Sequence, residues 1–247
     1  QFDVQVGGRE SRNQQSYDET DTGPLAGGLS IEPKVRTKDN SFTYLVTPQF
    51  RVSSDLMVYA RLASGYRPGG PNSTCVLLGV PCEFGADKTL NYEVGAKGDL
   101  VRNLLSFDVS VYRIDWKDIQ LSLVDPATGF SYNGDGSRAS SQGVELSIEA
   151  RPLQGLRLSA WIAWNDAELT KALPPGGPGA AMGSAGDRLP YSSRQSGSFS
   201  VDDEFPLMAG LSGSVGGSIS YVGERQGIFT PLPQRQDLPA YAKTDLR

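Results

Sequence analysis

The chain has 247 residues, of which 38% are hydrophobic and 21% charged, with a formal net charge of −5 and no histidine. The negative balance argues against a nucleic-acid partner, since such proteins usually carry a strongly basic face. The lack of histidine excludes Ser-His-Asp and Cys-His nucleophilic sites and histidine-ligated zinc. We therefore expect no enzyme and no bound cofactor. The longest apolar stretch, near Val76–Val80, is far too short for a membrane-spanning helix of about 20 residues.

Apolar and polar residues alternate along most of the chain, which is the pattern of half-exposed β-strands. In Thr89–Leu100, for example, Leu90 and Val94 stand on one face and Glu93 and Lys97 on the other. This alternation predicts ten strands: Phe2–Arg12, Phe42–Ser53, Leu56–Tyr66, Thr89–Leu100, Leu104–Leu121, Ser141–Arg151, Gly155–Asn165, Ser192–Asp203, Ala209–Tyr221 and a last one from Tyr241.

Two of these strands contain an irregularity. Pro48 lacks a backbone N–H and is expected to interrupt the hydrogen-bond ladder of its strand. In Leu104–Leu121 the apolar residues change from odd to even positions, from Val111 to Ile114 and Trp116. Either a bulge lies near Tyr112–Arg113, or the strand has left its apolar surroundings by that point.

The connections between strands fall into two classes that alternate along the chain. Four are short, at Ser53–Asp55, Asp99–Asn103, Pro152–Gly155 and Glu204–Met208. The others are long and rich in Gly, Pro, Ser and Asp, at Tyr17–Asn40, Arg67–Lys88, Asp125–Ala139, Lys171–Pro190 and Gln226–Pro239. Because strand patterning resumes after each long connection, we interpret residues 1–247 as belonging to one domain.

Alternation alone is consistent with a soluble sandwich, in which apolar faces pack on each other, or with a membrane barrel, in which they meet lipid. Strands of ten or more residues, sorted connections and aromatic strand ends favour the barrel. The predicted fold is therefore all-β, an antiparallel transmembrane β-barrel in contact with the lipid of a Gram-negative outer membrane. The expected aromatic girdle comprises Phe2, Tyr44, Tyr66, Trp116, Trp164 and Tyr221.

The polar faces of the predicted strands are rich in charge, which predicts a wide, hydrated lumen because an unpaired buried charge is very costly. About ten strands then form an arc of a larger barrel wall. The inward set predicted in this way is Glu93, Lys97, Glu145, Glu149, Arg157 and Asn165.

Four segments resemble successive strand regions of TonB-dependent outer-membrane receptors: Tyr59–Asn72 (YARLASGYRPGGPN), Asn91–Lys97 (NYEVGAK), Tyr112–Gln120 (YRIDWKDIQ) and Ala139–Leu146 (ASSQGVEL). The resemblance implies a 22-stranded barrel with an N-terminal plug that imports iron chelates of the siderophore type, or similar nutrients, with energy from the TonB complex. It places this chain at about strands 11–20, without the plug, the TonB-contacting box or the final strands. The remaining alternatives are a passive porin-like or structural barrel and a soluble extracellular sandwich that acts as a binding module.

Residues near the long connections are candidates for contact with a ligand. These are Tyr66, Arg67, Trp116, Tyr132 and Arg138, for which a girdle, packing or solvated role is the alternative. Cys75 and Cys82, separated by six residues, are expected to form a disulfide if the chain is exported. No metal site is predicted, because the sequence that follows Asp135 lacks the glutamate that closes a calcium loop.

Overall fold

In the computed structural model of the chain, residues 1–24, 28–73, 75, 79–101, 104–125, 128, 131–174, 181–230 and 234–247 are described. Ten strands form one antiparallel sheet whose spatial order follows the chain. They are β1 (Phe2–Asp21), β2 (Ser30–Arg51), β3 (Leu56–Arg67), β6 (Asp87–Leu100), β7 (Leu105–Val124), β8 (Ser131–Leu153), β9 (Leu156–Lys171), β10 (Gln195–Met208), β11 (Leu211–Val222) and β14 (Tyr241–Leu246). Two short ribbons pair β4 (Gly70–Pro71) with β5 (Glu83–Phe84) and β12 (Arg225–Gln226) with β13 (Asp237–Leu238).

All ten predicted strands are present, and their apolar side chains lie on one face of the sheet. No second sheet covers this face within the described ranges. Val94, Val111 and Ile162 are 62%, 57% and 61% exposed although they occupy central strands. A soluble sandwich would bury these residues between two layers, so that alternative is wrong for this chain. No helix in the described residues has the length and apolar character needed to cross a membrane.

Four hairpins close through short connections at one end of the sheet, at residues 52–55, 101–104, 154–155 and 209–210. The other connections are longer and lie at the opposite end. This confirms the predicted alternation of short and long connections. In outer-membrane barrels the short turns face the periplasm and the long loops face the exterior. Residues 175–180 of the predicted Lys171–Pro190 loop lie outside the described residues.

The predicted length of two long connections is wrong. β1 and β2 pair as far as Asp21 and Ser30, so most of Tyr17–Asn40 is strand. β7 and β8 likewise pair as far as Val124 and Ser131. Polar residues and glycine dominate these extensions, which hold few large apolar side chains, so they lack the strong contrast between two faces that marks a strand beside lipid. Their backbone groups are satisfied by pairing within the hairpin.

The change of apolar positions in β7 does not mark a bulge near Tyr112–Arg113. Pairing with β8 stays regular as far as Lys117 opposite Arg138. The first irregularity lies at Asp118, which has φ of 55°, and a second follows between Ile119 and Leu121. The second alternative is confirmed, because the positions that follow Val111 on the apolar face are polar. The strand has left its apolar surroundings there.

Pro48 interrupts one side of its strand, as predicted. It pairs with Val4 of β1, but towards β3 the ladder has no rungs at Thr47 and Pro48. The pairs on either side, Val46 with Leu62 and Gln49 with Tyr59, keep the same register. A proline is therefore accommodated inside a sheet by the loss of hydrogen bonds and not by a shift of register.

The buried apolar core does not lie behind the middle of the sheet. It lies at the end with the long connections, where Ile119, Ala139, Leu169 and Leu173 form a buried cluster. Trp116 and Phe229 pack against this cluster with Leu121, Ala181 and Leu189. The core therefore fixes the bases of the loops, and the long central strands are held by their ladder hydrogen bonds.

Candidate ligand-binding face

The face of the sheet opposite the apolar one carries a network of charged and hydrogen-bonding side chains. Tyr59 donates a hydrogen bond of 2.6 Å to Glu93, and Arg61 and Asn91 approach the same carboxylate at 3.5 and 3.2 Å. Lys97 lies 5.5 Å from the centre of the Tyr59 ring. Buried carboxylates need such partners, and the network supplies them from neighbouring strands.

Glycine makes room for this network. The Tyr59 ring lies over Gly95 on the paired strand, where an added Cβ would come within 2.6 Å of the ring. An aromatic ring laid over a glycine of the neighbouring strand restores packing that the glycine lacks. The glycine at position 95 of β6 thus lets the Tyr59 ring of β3 lie where its hydroxyl can donate to Glu93.

A second polar cluster lies across β7, β8 and β9. Tyr112 donates to Asn165 Oδ1 at 3.1 Å, and Ser141 donates to the same oxygen at 2.7 Å. The Asn165 amide then donates to Ser192 at 3.0 Å, in the connection that leads to β10. The network therefore continues from the polar wall into the base of a loop.

At the end with the long connections, Arg67 and Trp116 come together on the polar face. Arg67 Nη2 is 2.5 Å from Asp87 Oδ2, and Asp87 is only 3% exposed. The guanidinium lies 5.9 Å from the centre of the Trp116 ring. The indole N–H of Trp116 is buried and has no hydrogen-bond partner among the described residues. This pair forms an amphipathic corner where the wall meets the loops.

The adjacent loop is tied to the wall at several points. Cys75 and Cys82 form the predicted disulfide, with a Cα–Cα distance of 4.8 Å. Gln120 of β7 donates to the carbonyls of Pro68 and Gly85 at 2.8 and 3.0 Å. Asp135 of β8 accepts from the Gly85 N–H at 2.9 Å. The β3–β6 connection is thus held against β7 and β8 mainly by side-chain-to-backbone hydrogen bonds.

One arginine of the last long connection is fixed in the same way. Arg235 donates to the backbone carbonyls of Gly227 and Arg188, at 3.0 Å from Nε and 2.6 Å from Nη1, and its guanidinium lies 4.3 Å from the centre of the Phe229 ring. Burial lowers the pKa of Arg235 below its ordinary value. The residue remains charged at neutral pH because an arginine starts from a very high pKa.

The five predicted ligand contacts are not all on one face. Arg67 and Trp116 meet as described, whereas Tyr66 pairs with Lys88 on the apolar face. Arg138 pairs with Lys117 on that same face and is exposed. Tyr132 pairs with Leu123 in the extensions of β7 and β8.

The pairing register also shows on which face of the sheet the predicted girdle residues and the predicted inward residues lie. The apolar face carries Phe2, Tyr44, Trp164 and Tyr221, as a girdle requires. The predicted girdle position of Trp116 is wrong. Trp116 comes five positions after Val111 and therefore lies on the opposite face, and its side chain packs on the loop-base core. The predicted inward set lies on the polar face: Glu93, Lys97, Glu145, Glu149, Arg157 and Asn165.

Sequence reasoning missed Tyr59, Asp87, Asn72 and Gln120. Tyr59 lay in a predicted strand, and its alternation with Val58 already marked it as polar-facing. The other three form hydrogen bonds across 20 to 61 residues of sequence, which no local pattern contains.

Comparison with known proteins assigns the family. The model of the TonB dependent receptor-like β-barrel matches residues 1–247. The metal-pseudopaline receptor CntO of Pseudomonas aeruginosa is 26% identical over 222 residues, which cover 90% of this chain and 29% of that protein. The chain thus spans less than a third of this relative.

Solved structures of two further receptors share the fold. The ferric yersiniabactin uptake receptor FyuA of Yersinia pestis superposes with a TM-score of 0.74 at 22% identity, over 99% of this chain and 35% of that one. The siderophore receptor PiuA of Acinetobacter baumannii gives a TM-score of 0.72 at 16% identity, over 99% and 34%. The chain belongs to the TonB-dependent receptor family and forms part of the β-barrel of a Gram-negative outer-membrane protein.

Proposed function

We propose that this chain forms the part of a TonB-dependent receptor wall that lines the path of a metal chelate of the siderophore type. The observation that carries the proposal is the polar face itself. It is a wall of charged and hydrogen-bonding side chains. The opposite face is apolar over the central part of the strands, and the chain matches the family barrel over its whole length. The relatives are named as receptors for metal-pseudopaline and ferric yersiniabactin, which supports a chelated metal as cargo.

Within this wall, we assign contact with the cargo to Arg67 and Trp116. The Asp87 carboxylate holds the Arg67 side chain in place, yet this side chain stays about half exposed. The buried indole N–H of Trp116 is a hydrogen-bond donor without a partner among the described residues. Chelates of ferric iron carry anionic oxygens and flat rings, which a guanidinium and an indole recognise by charge-assisted hydrogen bonds and stacking. Tyr132 remains a predicted contact from the loop side.

In this proposal, Tyr66 and Arg138 do not touch the cargo. Both stand on the face that carries Val94 and Val111, and a chelate inside the barrel would not reach them. Tyr66 then belongs to the aromatic girdle, since an amphipathic ring is favoured at the membrane interface. Energy coupling to the TonB complex belongs to the plug and the TonB box that the family resemblance implies.

The test is uptake by the full-length protein that contains this chain, in a host that lacks its own siderophore receptors. Cells would receive radioactive iron on a panel of chelators, with and without a protonophore. The proposal predicts saturable uptake of at least one chelate that stops when the protonophore removes the energy source. Uptake that rises linearly with concentration and resists the protonophore would indicate a passive pore instead.

A further inference from the structure

Three apolar side chains stand side by side on the polar face of the sheet, at the end with the long connections. Trp116 of β7 pairs with Ala139 of β8, and Ala139 pairs with Leu169 of β9. We call these three residues the apolar row. Ala139 and Leu169 are only 3% and 1% exposed. Because this face otherwise carries charged and hydrogen-bonding groups, another part of the chain must shield the row from water.

The apolar row is shielded by two long connections, which contribute residues 181–191 before β10 and residues 226–230 before β14. In the first segment, an added Cβ at Gly183 would come within 2.9 Å of Leu169 Cδ1, so the backbone approaches the row closely. From the second segment, Phe229 packs against the core that contains Leu169. We call these two segments together the cover. The cover therefore lies on the polar face, where the wall meets the loops.

Backbone hydrogen bonds connect the two segments of the cover at both ends. The Met182 N–H donates to the Thr230 carbonyl at 2.9 Å, and the Tyr191 N–H donates to the Gln226 carbonyl at 2.8 Å. Each such bond adds little net stability, because water competes for both of its partners. The joining of the two segments therefore depends on further contacts.

The Arg235 side chain supplies these contacts. Its Nε donates to the Gly227 carbonyl at 3.0 Å, and its Nη1 donates to the Arg188 carbonyl at 2.6 Å. Nη1 also donates to Gln226 Oε1 at 3.1 Å. Hydrogen bonds from a charged donor are stronger than neutral ones, and the planar guanidinium fixes their directions. One side chain thus holds both segments of the cover.

Arg235 also holds an aromatic ring of the cover. Its guanidinium lies 4.3 Å from the centre of the Phe229 ring, and Phe229 and Trp116 pack against the same core. Among the described residues, no carboxylate forms an ion pair with Arg235, and its hydrogen bonds go to neutral oxygens. The guanidinium therefore serves to satisfy backbone carbonyls and to hold Phe229, and not to neutralise an acid.

We propose that Arg235 joins the two segments of the cover into one body and, through Phe229 and the core, sets the position of the Trp116 ring. Arg235 is then a positioning residue for the corner that Arg67 and Trp116 form. Its bearing on the cargo rests on the proposed function. Its action on the cover and on the ring is independent of the cargo.

Amide hydrogen exchange of the full-length protein tests the joining of the cover. In Arg235→Gln, exchange at the Met182 and Tyr191 amides is expected to rise about tenfold or more, because hydrogen bonds from a charged donor are lost. The matched control is Arg225→Gln, which removes the same charge from the same connection, where the guanidinium lies 5.3 Å from the centre of the Tyr241 ring. Unchanged exchange in Arg235→Gln, or an equal rise in the control, would overturn the proposal.

A second variant, Arg235→Lys, separates the forked shape of the side chain from its charge. Lysine keeps the charge but presents a single ammonium group, which does not reproduce the planar set of donors. Both amides should therefore exchange as they do in Arg235→Gln. Full protection in Arg235→Lys would overturn the role of the fork.

Fluorine NMR of the full-length protein labelled with 5-fluorotryptophan tests the position of the Trp116 ring. The resonance of Trp116 is assigned by its loss in Trp116→Phe. Arg235→Gln should shift or broaden this resonance, whereas Arg225→Gln should leave it in place. The resonances of Trp161 and Trp164, which are 44% and 46% exposed, serve as references and should not move. An unmoved Trp116 resonance, or equal movement of all three, would overturn the positioning role.

The bearing on the cargo is tested by uptake of radioactive iron on the same panel of chelators. Arg235→Gln should lower uptake of the chelates whose uptake also falls in Trp116→Ala, by about tenfold or less. Lowered uptake of chelates that do not depend on Trp116 would overturn the positioning role. Unchanged uptake of every chelate in Trp116→Ala would instead reject the proposed cargo contact, while exchange and fluorine NMR still decide whether Arg235 acts on the cover and the ring.

Discussion

Asn72 and Asn133 bond to each other reciprocally although 61 residues separate them. The Asn72 side chain donates to the Asn133 carbonyl and accepts from the Asn133 backbone N–H, both at 2.8 Å. It also donates to the Pro81 carbonyl at 2.7 Å. One buried amide thus completes the open edge of the β8 extension and anchors the disulfide loop to it.

Replacement of Asn72 by alanine should loosen this loop without unfolding the sheet. It leaves the partly buried carbonyl and N–H of Asn133 without this partner, at a cost of about 1–3 kcal/mol. Amide hydrogen exchange of the full-length protein should rise at residues 70–73 and 131–134. Asn133→Ala is the matched control, because only the backbone of Asn133 takes part and its exposed side chain does not. Equal effects of the two changes would contradict the assigned role of Asn72.

The Cys75–Cys82 disulfide should act on its own loop only. Closing a loop this short is worth about 2–3 kcal/mol in the chain-entropy model. Cys75→Ser with Cys82→Ser should therefore increase proteolysis near the loop, while the unfolding temperature of the barrel stays unchanged. Mass mapping of limited digests locates the cuts. A lowered unfolding temperature would show that the loop supports the wall itself.

Gly95→Ala should destabilise the wall, because the new Cβ would come within 2.6 Å of the Tyr59 ring. Displacing that ring breaks its hydrogen bond to Glu93, and overpacking costs about 1–3 kcal/mol. Gly7→Ala is the control, since its added Cβ would meet only Leu45 at 3.9 Å. Urea unfolding followed by tryptophan fluorescence compares the two variants, and similar midpoints would contradict the packing argument.

Substitutions of Arg67 and Trp116 should weaken binding of the chelate without unfolding the protein. Trp116→Phe keeps the ring and removes the indole N–H, which should weaken chelate binding by about tenfold or less. Arg67→Gln should weaken it about tenfold and also leave the Asp87 carboxylate without its cation. Titration of the full-length protein with the transported chelate measures both. Unchanged dissociation constants would place the cargo elsewhere in the barrel.

The alternation of apolar and polar residues predicted the strands correctly where they face lipid, because one face of the sheet must be apolar there. It predicted Thr89–Leu100 to within two residues of β6. It missed the extension of β2 from Ser30 to Asn40, because charged and polar residues dominate that segment and Ile31 and Val35 are its only large apolar side chains. Because the apolar face exists only where the sheet meets lipid, the alternation marked the membrane-spanning part of each strand and little beyond it.

The candidate site was predicted only in part, for a different reason. Trp116 was assigned to the girdle from its aromatic character, yet its distance from Val111 already placed it on the other face. Tyr66 and Arg67 are adjacent and therefore point to opposite faces, which separated two residues that the sequence had grouped. The partners Asp87 and Gln120 come from other hairpins, and only the folded sheet brings them to Arg67.

Accessibility of spin labels at two adjacent residues tests the central claim most directly. Ile148 and Ser147 of β8 lie on opposite faces, paired with Phe107 and Asp108. In the full-length protein in bilayers, a label on Ile148→Cys should collide with oxygen and be shielded from a water-soluble nickel chelate. A label on Ser147→Cys should show the reverse. Equal accessibility of the two labels to the nickel chelate would contradict contact of the apolar face with lipid.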